Sequence, residues 1–290
     1  MIRIGCFSLL ILVGLGFAAL LHAVMRDERA KLAKEVRLLA DARPARIAEA
    51  AGPEAVVPGP VRIGGRVVAD APLKLSTGAG ERLECAYTRV KLVQHYTSTD
   101  SKGNPKKESG TIHQRTEAAP CAIDDGSGPR LRLDLEAAKV FLKQREVVPL
   151  PAPAGDRLEY GDGSFQVARR KDDRFEAELE WLPVGATVLA VGLVAEGAAG
   201  PELAAPPGEP MLVSAYGEVE TRKILGEERT VTYWVEGIGY AIGGFFAFVG
   251  VVGLIVTRRR RSAPPPPPSP FHPPPAPPPP PPAARGFEVS

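Results

Sequence analysis

FEAELEWLPVGATVLAVGLV, at residues 175–194, is the clearest strand signal in the chain. Residues 175–182 alternate apolar and polar side chains, which is the period of a strand with one buried face. Pro183 and Gly185 mark a turn. Residues 187–194 are nearly all apolar, as in a buried strand. The stretch therefore predicts two strands joined by a tight turn.

Shorter runs with strand character lie on both sides of this stretch. Residues 130–135 (RLRLDL) alternate strictly, and residues 83–93 are rich in β-branched and aromatic side chains. Residues 211–214 form one more short apolar run. Many short strands separated by glycine and proline turns are typical of a small β-barrel or sandwich. The central part of the chain is therefore expected to be mainly β.

Three places in this central region are less regular. Gly64 and Gly65 interrupt an alternating run and indicate a hairpin or a bulge. Residues 97–110 are polar around a Lys-Gly-Asn-Pro sequence, which predicts an exposed hairpin loop. Residues 139–146 fit a helix or a strand equally well, and the sequence leaves both alternatives open.

Two long apolar runs flank the central region. Residues 4–25 would measure about 33 Å as a helix, enough to cross a hydrocarbon core of about 30 Å. The alternative is a cleaved signal peptide, although its apolar part is usually only about 7–15 residues long. Residues 235–256 carry Glu236 at their edge and no charge inside. The two runs predict two transmembrane helices flanking a mainly-β domain.

Basic residues beside these runs set the expected orientation. Arg258, Arg259, Arg260 and Arg261 follow the second run, and arginine favours the cytoplasmic side of a membrane. The tail would then be cytoplasmic, and two spans would place the central domain on the opposite side. Basic residues between 26 and 34 oppose this, but long loops translocate largely regardless of charge. The predicted localisation is an integral, multi-pass membrane protein.

The chain accordingly divides into five predicted segments. Leu32, Val36 and Leu39 form a narrow apolar stripe that predicts a short helical spacer. Glycines and prolines between 51 and 60 mark a linker. The segments are a transmembrane anchor (1–25), a helical spacer and linker (26–56), a β-rich domain (57–231), a second transmembrane helix (232–257), and a basic stop-transfer sequence with a proline-rich, disordered tail (258–290).

Composition narrows the classes of function. The chain has 36 basic and 34 acidic residues and a net charge of +2, without the concentrated basic face that nucleic-acid binding needs. Two of the three cysteines, Cys85 and Cys121, lie in the central domain and form either a disulfide or two buried thiols. The sequence has no CxxC and no zinc-type spacing, and no cofactor is expected.

Polar residues of the central domain give only weak signals for chemistry. Asp124 and Asp125 precede Gly126 and fit a turn. A shared cation site is not expected, because adjacent side chains on a strand point to opposite faces. His95 and His113 flank the polar loop, but the sequence shows no third ligand for a metal. No nucleophile elbow or phosphate-binding loop is present in the sequence. Neither a catalytic residue nor a metal site is predicted.

The last segment offers two contact points. Its proline runs favour polyproline II, which docks into aromatic grooves with little loss of entropy, and a disordered spacer is the alternative. The arginines at 258–261 suit anionic lipid. Lysines at 102–107 suit lipid head groups or an acidic partner, and they fit a solvated hairpin tip as well. Expected partners are therefore membrane lipid, a protein and a polyproline-binding domain for the tail.

Short patterns follow one another in a fixed order along the domain. A Pro-Leu step lies at 72–73, a Ser-x-Gly step at 76–78, and Cys-x-Tyr-x-Arg-Val at 85–90. Further along, an Asp-Asp turn with a following glycine lies at 124–128. A Glu-x-x-x-Leu sequence lies at 178–182, and glycines follow it at 185 and 192.

In this order, and with an apolar-apolar-Ser strand at 212–214, the patterns resemble the GIDE domain, also called BAM ("beside a membrane"). The resemblance covers about residues 57–257. It implies a β-rich domain held beside a bilayer. The residues that match are Pro72, Gly78, Cys85, Tyr87, Arg89, Asp124, Asp125, Gly128, Gly185, Gly192 and Ser214.

One departure from the family matters for chemistry. The family includes a mitochondrial membrane-anchored E3 ubiquitin ligase, whose RING holds two zinc ions with Cys and His ligands. Here residues 257–290 contain no cysteine and only His272. The resemblance therefore implies a membrane-anchored, non-enzymatic module that binds protein or organises a membrane complex. The alternative is a ubiquitin-ligase-like component whose RING comes from another chain, so enzymatic activity stays undecided.

Overall fold

The structure is a computed structural model that describes residues 2–51, 59–153, 155–161, 163–198 and 200–262. The side chains of residues 2–7, 10 and 257–262 are not part of that description. The chain forms two compact units, one of Leu20–Gly239 and one of Met1–Ala19 with Tyr240–Ser290. The proline-rich tail, most of the predicted linker and the four arginine side chains at 258–261 lie outside the described residues.

The described residues form three helices and fifteen strands. In chain order they are α1 (Ile2–Asp41), β1 (Arg43–Pro44), α2 (Ile47–Ala50), β2 (Val61–Ala69), β3 (Leu73–Ser76), β4 (Arg82–Thr99), β5 (Pro105–Ala118), β6 (Cys121–Asp124), β7 (Leu131–Leu133), β8 (Ala138–Phe141), β9 (Gln144–Leu150), β10 (Arg157–Tyr160), β11 (Gly163–Gln166), β12 (Arg174–Pro183), β13 (Thr187–Gly197), β14 (Gly200–Ala204), β15 (Met211–Ser214) and α3 (Glu218–Ser262).

Five strands close into a small barrel, in the order β2-β6-β7-β14-β13 and back to β2. All neighbours are antiparallel except β7 and β14, which are parallel. Alternate residues of β2 point inward, so that Val61, Ile63 and Val67 are fully buried with Val188 and Ala190 of β13. Burying a valine or isoleucine side chain stabilises a fold by about 1.5–3 kcal/mol. The mainly-β character predicted for the central region is thus present as a barrel.

Gly64 and Gly65 lie in the middle of a continuous strand, which corrects the expected hairpin or bulge. β2 pairs with β13 on one side and with β6 on the other. A Cβ atom on Gly65 would lie 2.7 Å from the carbonyl oxygen of Asp124, closer than real side chains approach. The glycine is therefore needed because two strands of the barrel approach closely, and no turn is involved.

A second sheet contains the strand predicted from FEAELEWL. Its order is β3-β4-β12-β9, and β5 also pairs with β4. Phe175, Ala177 and Leu179 of β12 are buried on the inner face of this sheet. Side chains of the outer face form two ion pairs between β4 and β12, Arg89–Glu180 (3.1 Å) and Lys91–Glu178 (3.5 Å), and His95 lies within hydrogen-bond distance of Glu176 (3.2 Å).

The strands of this sheet are longer than the sequence suggested. β4 ends at Thr99 and β5 begins at Pro105, so the predicted loop at 97–110 shortens to residues 100–104. The undecided stretch at 139–146 is mostly strand, since β8 ends at Phe141 and β9 begins at Gln144. Both differences arise because pairing with a distant strand, which local composition does not report, fixes where a strand ends.

The hairpin β10–β11 packs against the inner face of the second sheet. Leu158 and Val167 are buried there with Leu92 of β4 and with Phe175. Phe165 and Tyr160 are partly buried against the same cluster. The hairpin thus gives the sheet a second apolar core, separate from that of the barrel.

Parts of α1 and α3 also belong to the larger unit. β15 pairs with β13 of the barrel, and β8 pairs with β15. Leu38 and Leu39 of α1 and Leu225 of α3 are buried with Phe141 of β8 and Leu212 of β15. The ammonium group of Lys139 lies 2.7 Å from carboxylate oxygens of both Glu35 on α1 and Glu228 on α3. Further along, Glu236 of α3 pairs with Arg29 of α1, and its carboxylate lies 3.1 Å from His22.

In the smaller unit, α1 and α3 approach closely through small residues. A Cβ on Gly14 would lie 2.7 Å from the carbonyl oxygen of Gly243. A Cβ on Gly243 would lie 2.9 Å from the Cβ of Ala18. Close approach of helix backbones at glycine and alanine is frequent in apolar helix pairs.

The prediction of two flanking transmembrane helices is wrong for the part of the chain that the structure describes. One helix there is long and apolar enough to cross a membrane, at Glu218–Val256 within α3. α1 is one continuous helix, Ile2–Asp41, which extends well beyond its apolar run. Arg26 then begins a charged segment of the same helix, which packs on the domain at Leu38 and Leu39. The predicted multi-pass localisation is therefore wrong as well, since the described residues contain one candidate membrane-spanning helix.

Candidate functional site

The residues that carry the family resemblance are spread through the fold and do not form one site. Tyr87 is buried in the barrel core, and its hydroxyl accepts a hydrogen bond from Arg89 at 3.2 Å. Gly185 has a φ of 82° in the turn between β12 and β13, a conformation that favours glycine. Ser214 accepts a hydrogen bond from the backbone N–H of Tyr216 at 3.1 Å. These residues hold strands and turns in place.

Three further glycine and proline matches have similar local roles. Gly128 has a φ of 131° in the loop after β6. A Cβ on Gly192 would lie 2.6 Å from the carbonyl oxygen of Ala204, so β13 and β14 approach closely there. Pro72 directly precedes β3 and is partly exposed.

The Asp-Asp turn caps a helix. Asp125 accepts a hydrogen bond from the backbone N–H of Ile47 at 2.7 Å, and from the hydroxyl of Ser127 at 2.6 Å. Ser127 in turn accepts one from the backbone N–H of Ala48 at 3.0 Å. Burial raises the pKa of Asp125, but these hydrogen bonds outweigh it, so that the pKa lies below its usual value. Asp124 accepts a bond from the N–H of Gly126 at 2.8 Å within the turn.

Cys85 and Cys121 are both buried free thiols in this structure. Their sulfur atoms lie 3.9 Å from two different carbonyl oxygens, those of Leu83 and Leu133. Burial raises the pKa of each thiol to about 11, and for Cys121 the charge of Asp134 adds to the effect. Of the two alternatives that the sequence left open, the structure contains the buried thiols.

A cleft on the inner face of the second sheet has the geometry of a binding site. We call it the sheet cleft. Its volume is about 420 Å³, within the usual range of ligand pockets. Val90 and Leu92 of β4 and Val148 of β9 line it with apolar surface. The hairpin β10–β11 contributes Tyr160 and Phe165.

One wall of the sheet cleft comes from alternate residues of β5. These are His113, Arg115 and Glu117, which share one face of the strand. The ring of His113 lies 4.4 Å from that of Phe165, tilted by 30°. The guanidinium group of Arg115 lies 2.5 Å from the carboxylate of Glu117. The wall therefore presents an aromatic ring, a positive charge and a negative charge in sequence.

The turn between β3 and β4 borders the sheet cleft at residues 74–78. A Cβ on Gly78 would lie 3.0 Å from both a Val148 methyl group and a Glu146 carboxylate oxygen, so the turn packs tightly against β9. The hydroxyl oxygen of Thr77 is buried and has no hydrogen-bond partner among the described residues. A ligand carbonyl or amide could satisfy it.

Polar groups around the sheet cleft are mainly hydrogen-bond donors. Lys74 and Arg115 are charged donors, and the hydroxyl groups of Thr77 and Tyr160 can donate as well. Burial, together with the charge of Glu146, raises the pKa of Tyr160, which keeps its proton in place. An apolar floor surrounded by donors fits a ligand that combines apolar groups with carbonyl or carboxylate oxygens.

The two histidines considered as metal ligands are in different places. His95 pairs with Glu176 on the outer face of the second sheet, whereas His113 stacks on Phe165 in the sheet cleft. Among the described residues, no group of three His, Cys, Asp or Glu side chains has metal-binding geometry.

Sequence reasoning missed most of this site. Val148, Tyr160 and Phe165 lie in stretches that gave no functional signal, and only the fold brings them to β4 and β5. His113-x-Arg115-x-Glu117 was the one available signal, because its alternation places three functional side chains on one strand face.

Comparisons with known proteins give no match. No family model, no curated protein and no solved structure matches this chain. The GIDE/BAM resemblance therefore stays a prediction from the sequence.

Proposed function

We propose that this chain is a membrane-anchored module that binds a partner protein. The observation that carries the proposal is the sheet cleft, an apolar floor bordered by donors on a domain that continues into α3. In this proposal, the apolar part of α3 holds the domain at a bilayer. The cleft receives a segment of the partner.

Two features of the cleft support a protein as the ligand. Its volume of about 420 Å³ accommodates a few side chains, and its β5 wall includes the exposed side chain of Arg115. The mixture of aromatic, apolar and charged groups is of the kind that peptide-binding grooves use.

Membership of the GIDE/BAM family is part of the same proposal. It is supported by the order of the sequence patterns and by the roles of their residues. Gly78 packs the turn that borders the sheet cleft, and Tyr87 and Arg89 lie on β4, the strand that contributes the cleft floor.

Site-specific photocrosslinking in the cells that make the protein tests the proposal. A benzoylphenylalanine residue at position 74 lies in the sheet cleft, and one at the exposed position 147 lies on the outer face of β9 as the matched control. We expect position 74 to crosslink a recurring protein and position 147 not to do so. Filling the cleft with Val148→Trp should abolish the crosslink.

Equal crosslinking from positions 74 and 147, or a crosslink at 74 that survives Val148→Trp, would contradict the proposal. Circular dichroism of the Val148→Trp variant serves as the folding control. This control is needed because Val148 is partly buried against the apolar cluster of the sheet, where a larger ring can disturb packing.

A further inference from the structure

The strand β5 is an edge of the second sheet. Among the described residues, β5 pairs with β4 alone, through a ladder from Tyr87↔Ala118 to Thr99↔Pro105. Backbone N–H and C=O groups on the outer side of such a strand can pair with another extended chain. Gln114, Arg115 and Thr116 are all exposed, so this part of the edge is accessible.

The two halves of β5 differ in what they present. The half near the hairpin tip carries Lys106 and Lys107, and lysines on an edge discourage pairing with other chains. A register shift between Leu92 and Val93 separates that half from residues 113–117. Only the second half combines an exposed edge with the wall of the sheet cleft.

We propose that residues 113–117 of β5 bind an extended segment of the partner by antiparallel strand addition. The inference rests on the proposed protein-binding function and specifies how the partner is recognised. Side chains directly opposite each other on neighbouring strands lie on the same face. Partner residues opposite His113, Arg115 and Glu117 therefore extend the cleft side of the sheet.

This register defines the chemistry of the partner segment. Opposite charges on facing residues are favourable and like charges are unfavourable, so a basic residue belongs opposite Glu117 and an acidic residue opposite Arg115. An aromatic or aliphatic residue belongs opposite His113, whose ring already packs on Phe165. In an antiparallel strand the partner reads basic-x-acidic-x-apolar from its N-terminus.

Two peptides of identical composition test the register. The matched peptide is acetyl-Thr-Lys-Thr-Glu-Thr-Phe-Thr-amide, and the control is acetyl-Thr-Glu-Thr-Lys-Thr-Phe-Thr-amide. Binding of fluorescently labelled peptide to the full chain in detergent micelles is followed by anisotropy. We expect the matched peptide to bind about fivefold to tenfold more tightly, since two facing charge pairs change from repulsive to attractive.

A charge exchange in the protein provides the decisive comparison. The double variant Arg115→Glu and Glu117→Arg keeps the local ion pair but reverses its order, and should reverse the peptide preference. A misfolded variant would lose both peptides and could not reverse the preference. An unchanged preference in the double variant overturns the proposal.

Backbone methylation separates strand addition from simple charge attraction. In an antiparallel pair the N–H groups of alternate residues point toward the partner strand. N-methylation of the matched peptide at one set of alternate residues should abolish binding, and methylation at the other set should leave it intact. Equal binding of both methylated peptides, or no binding of any peptide, overturns strand addition. The photocrosslink from position 74 would still stand in that case, so failure here is distinguishable from failure of the proposed function.

Discussion

At the scale of single residues, burial controls the chemistry of the two cysteines in the domain. Cys85 and Cys121 are buried, and burial raises the pKa of each to about 11. A thiol reacts as the thiolate, and at pH 8 such a group is almost entirely protonated. Both side chains therefore behave as small apolar residues of the core.

Thiol labelling checks this state. In a Cys6→Ser variant of the full chain, a maleimide at pH 8 should label the native protein slowly and should label both remaining thiols once guanidinium unfolds it. No reductant is added at any stage. Labelling of the unfolded chain only after reduction would contradict the free thiols, because it would indicate a disulfide between Cys85 and Cys121.

Gly64 and Gly65 give a matched pair of neighbouring substitutions in β2. A Cβ at Gly65 would lie 2.7 Å from both the Asp124 carbonyl oxygen and an Ile123 side-chain carbon. A Cβ at Gly64 has only the Val188 carbonyl oxygen within reach, at 4.0 Å. The two positions lie on the same strand but differ in the room available for a side chain.

We expect Gly65→Ala to lower the free energy of unfolding by about 1–3 kcal/mol, as overpacking of a core does. Gly64→Ala should change it by less than about 0.5 kcal/mol, or stabilise slightly through the unfolded chain. Urea unfolding followed by circular dichroism measures both. Equal effects of the two substitutions would contradict the close approach of β2 and β6 at Gly65.

At the scale of elements, one lysine connects two helices to a strand. Lys139 on β8 lies 2.7 Å from carboxylate oxygens of Glu35 on α1 and Glu228 on α3. The Glu35 side chain is only 7% exposed, which makes a missing partner costly there. Burial lowers the pKa of Lys139, but the two carboxylates outweigh it, so that the pKa lies above its usual 10.5.

Lys139→Met should lower the free energy of unfolding by about 2 kcal/mol, less than for a fully buried pair because Lys139 and Glu228 are partly exposed. Because the folded pKa is raised, the contribution is complete below the unfolded pKa near 10.5 and is lost as pH rises through the folded pKa. Urea unfolding of the full chain in micelles from pH 8 to 12 measures it.

The matched control for this prediction is Lys31→Met on the exposed face of α1. Lys31 pairs with Glu28 at 3.0 Å, and both side chains are more than half exposed. Exposed pairs contribute little, so no measurable change is expected. A loss at Lys31 as large as that at Lys139 would contradict the role of burial at Glu35.

At the scale of the whole molecule, α3 contains both domain-packed residues and the membrane candidate. Leu225 is fully buried in the domain, whereas Phe245 and Phe248 are 63% and 67% exposed. Large apolar side chains on the surface of an apolar helix are stable in lipid and unfavourable in water.

Placing charge on that surface tests the proposed membrane anchor. Phe245→Lys with Phe248→Lys should let alkaline carbonate extract the protein, because each lysine at the centre of a span costs about 2.5–3.5 kcal/mol. Val219→Lys, on the domain end of the same helix, should leave the protein in the membrane. Retention of the double variant would show that another part of the chain holds it there.

Periodicity alone predicted the parts of the molecule whose burial is one-sided and local. Alternation at 175–182 identified β12, and the apolar run at 187–194 identified most of β13, because each side chain records the face on which it lies. The apolar run at 235–256 likewise lies in the helix that qualifies as a span. Turn glycines such as Gly185 were recognisable for the same local reason.

Only the tertiary structure showed what depends on residues far apart in the chain. Barrel closure joins β2 to β13, which lie more than 100 residues apart, and the sheet cleft joins β4 and β5 to β9 and the β10–β11 hairpin. The packing of α1 on the domain follows from the same kind of contact. Amino-acid sequence determines which face of each strand is apolar. The partner of that face is chosen by the balance of pairing and packing over the whole domain, and no single stretch contains that information.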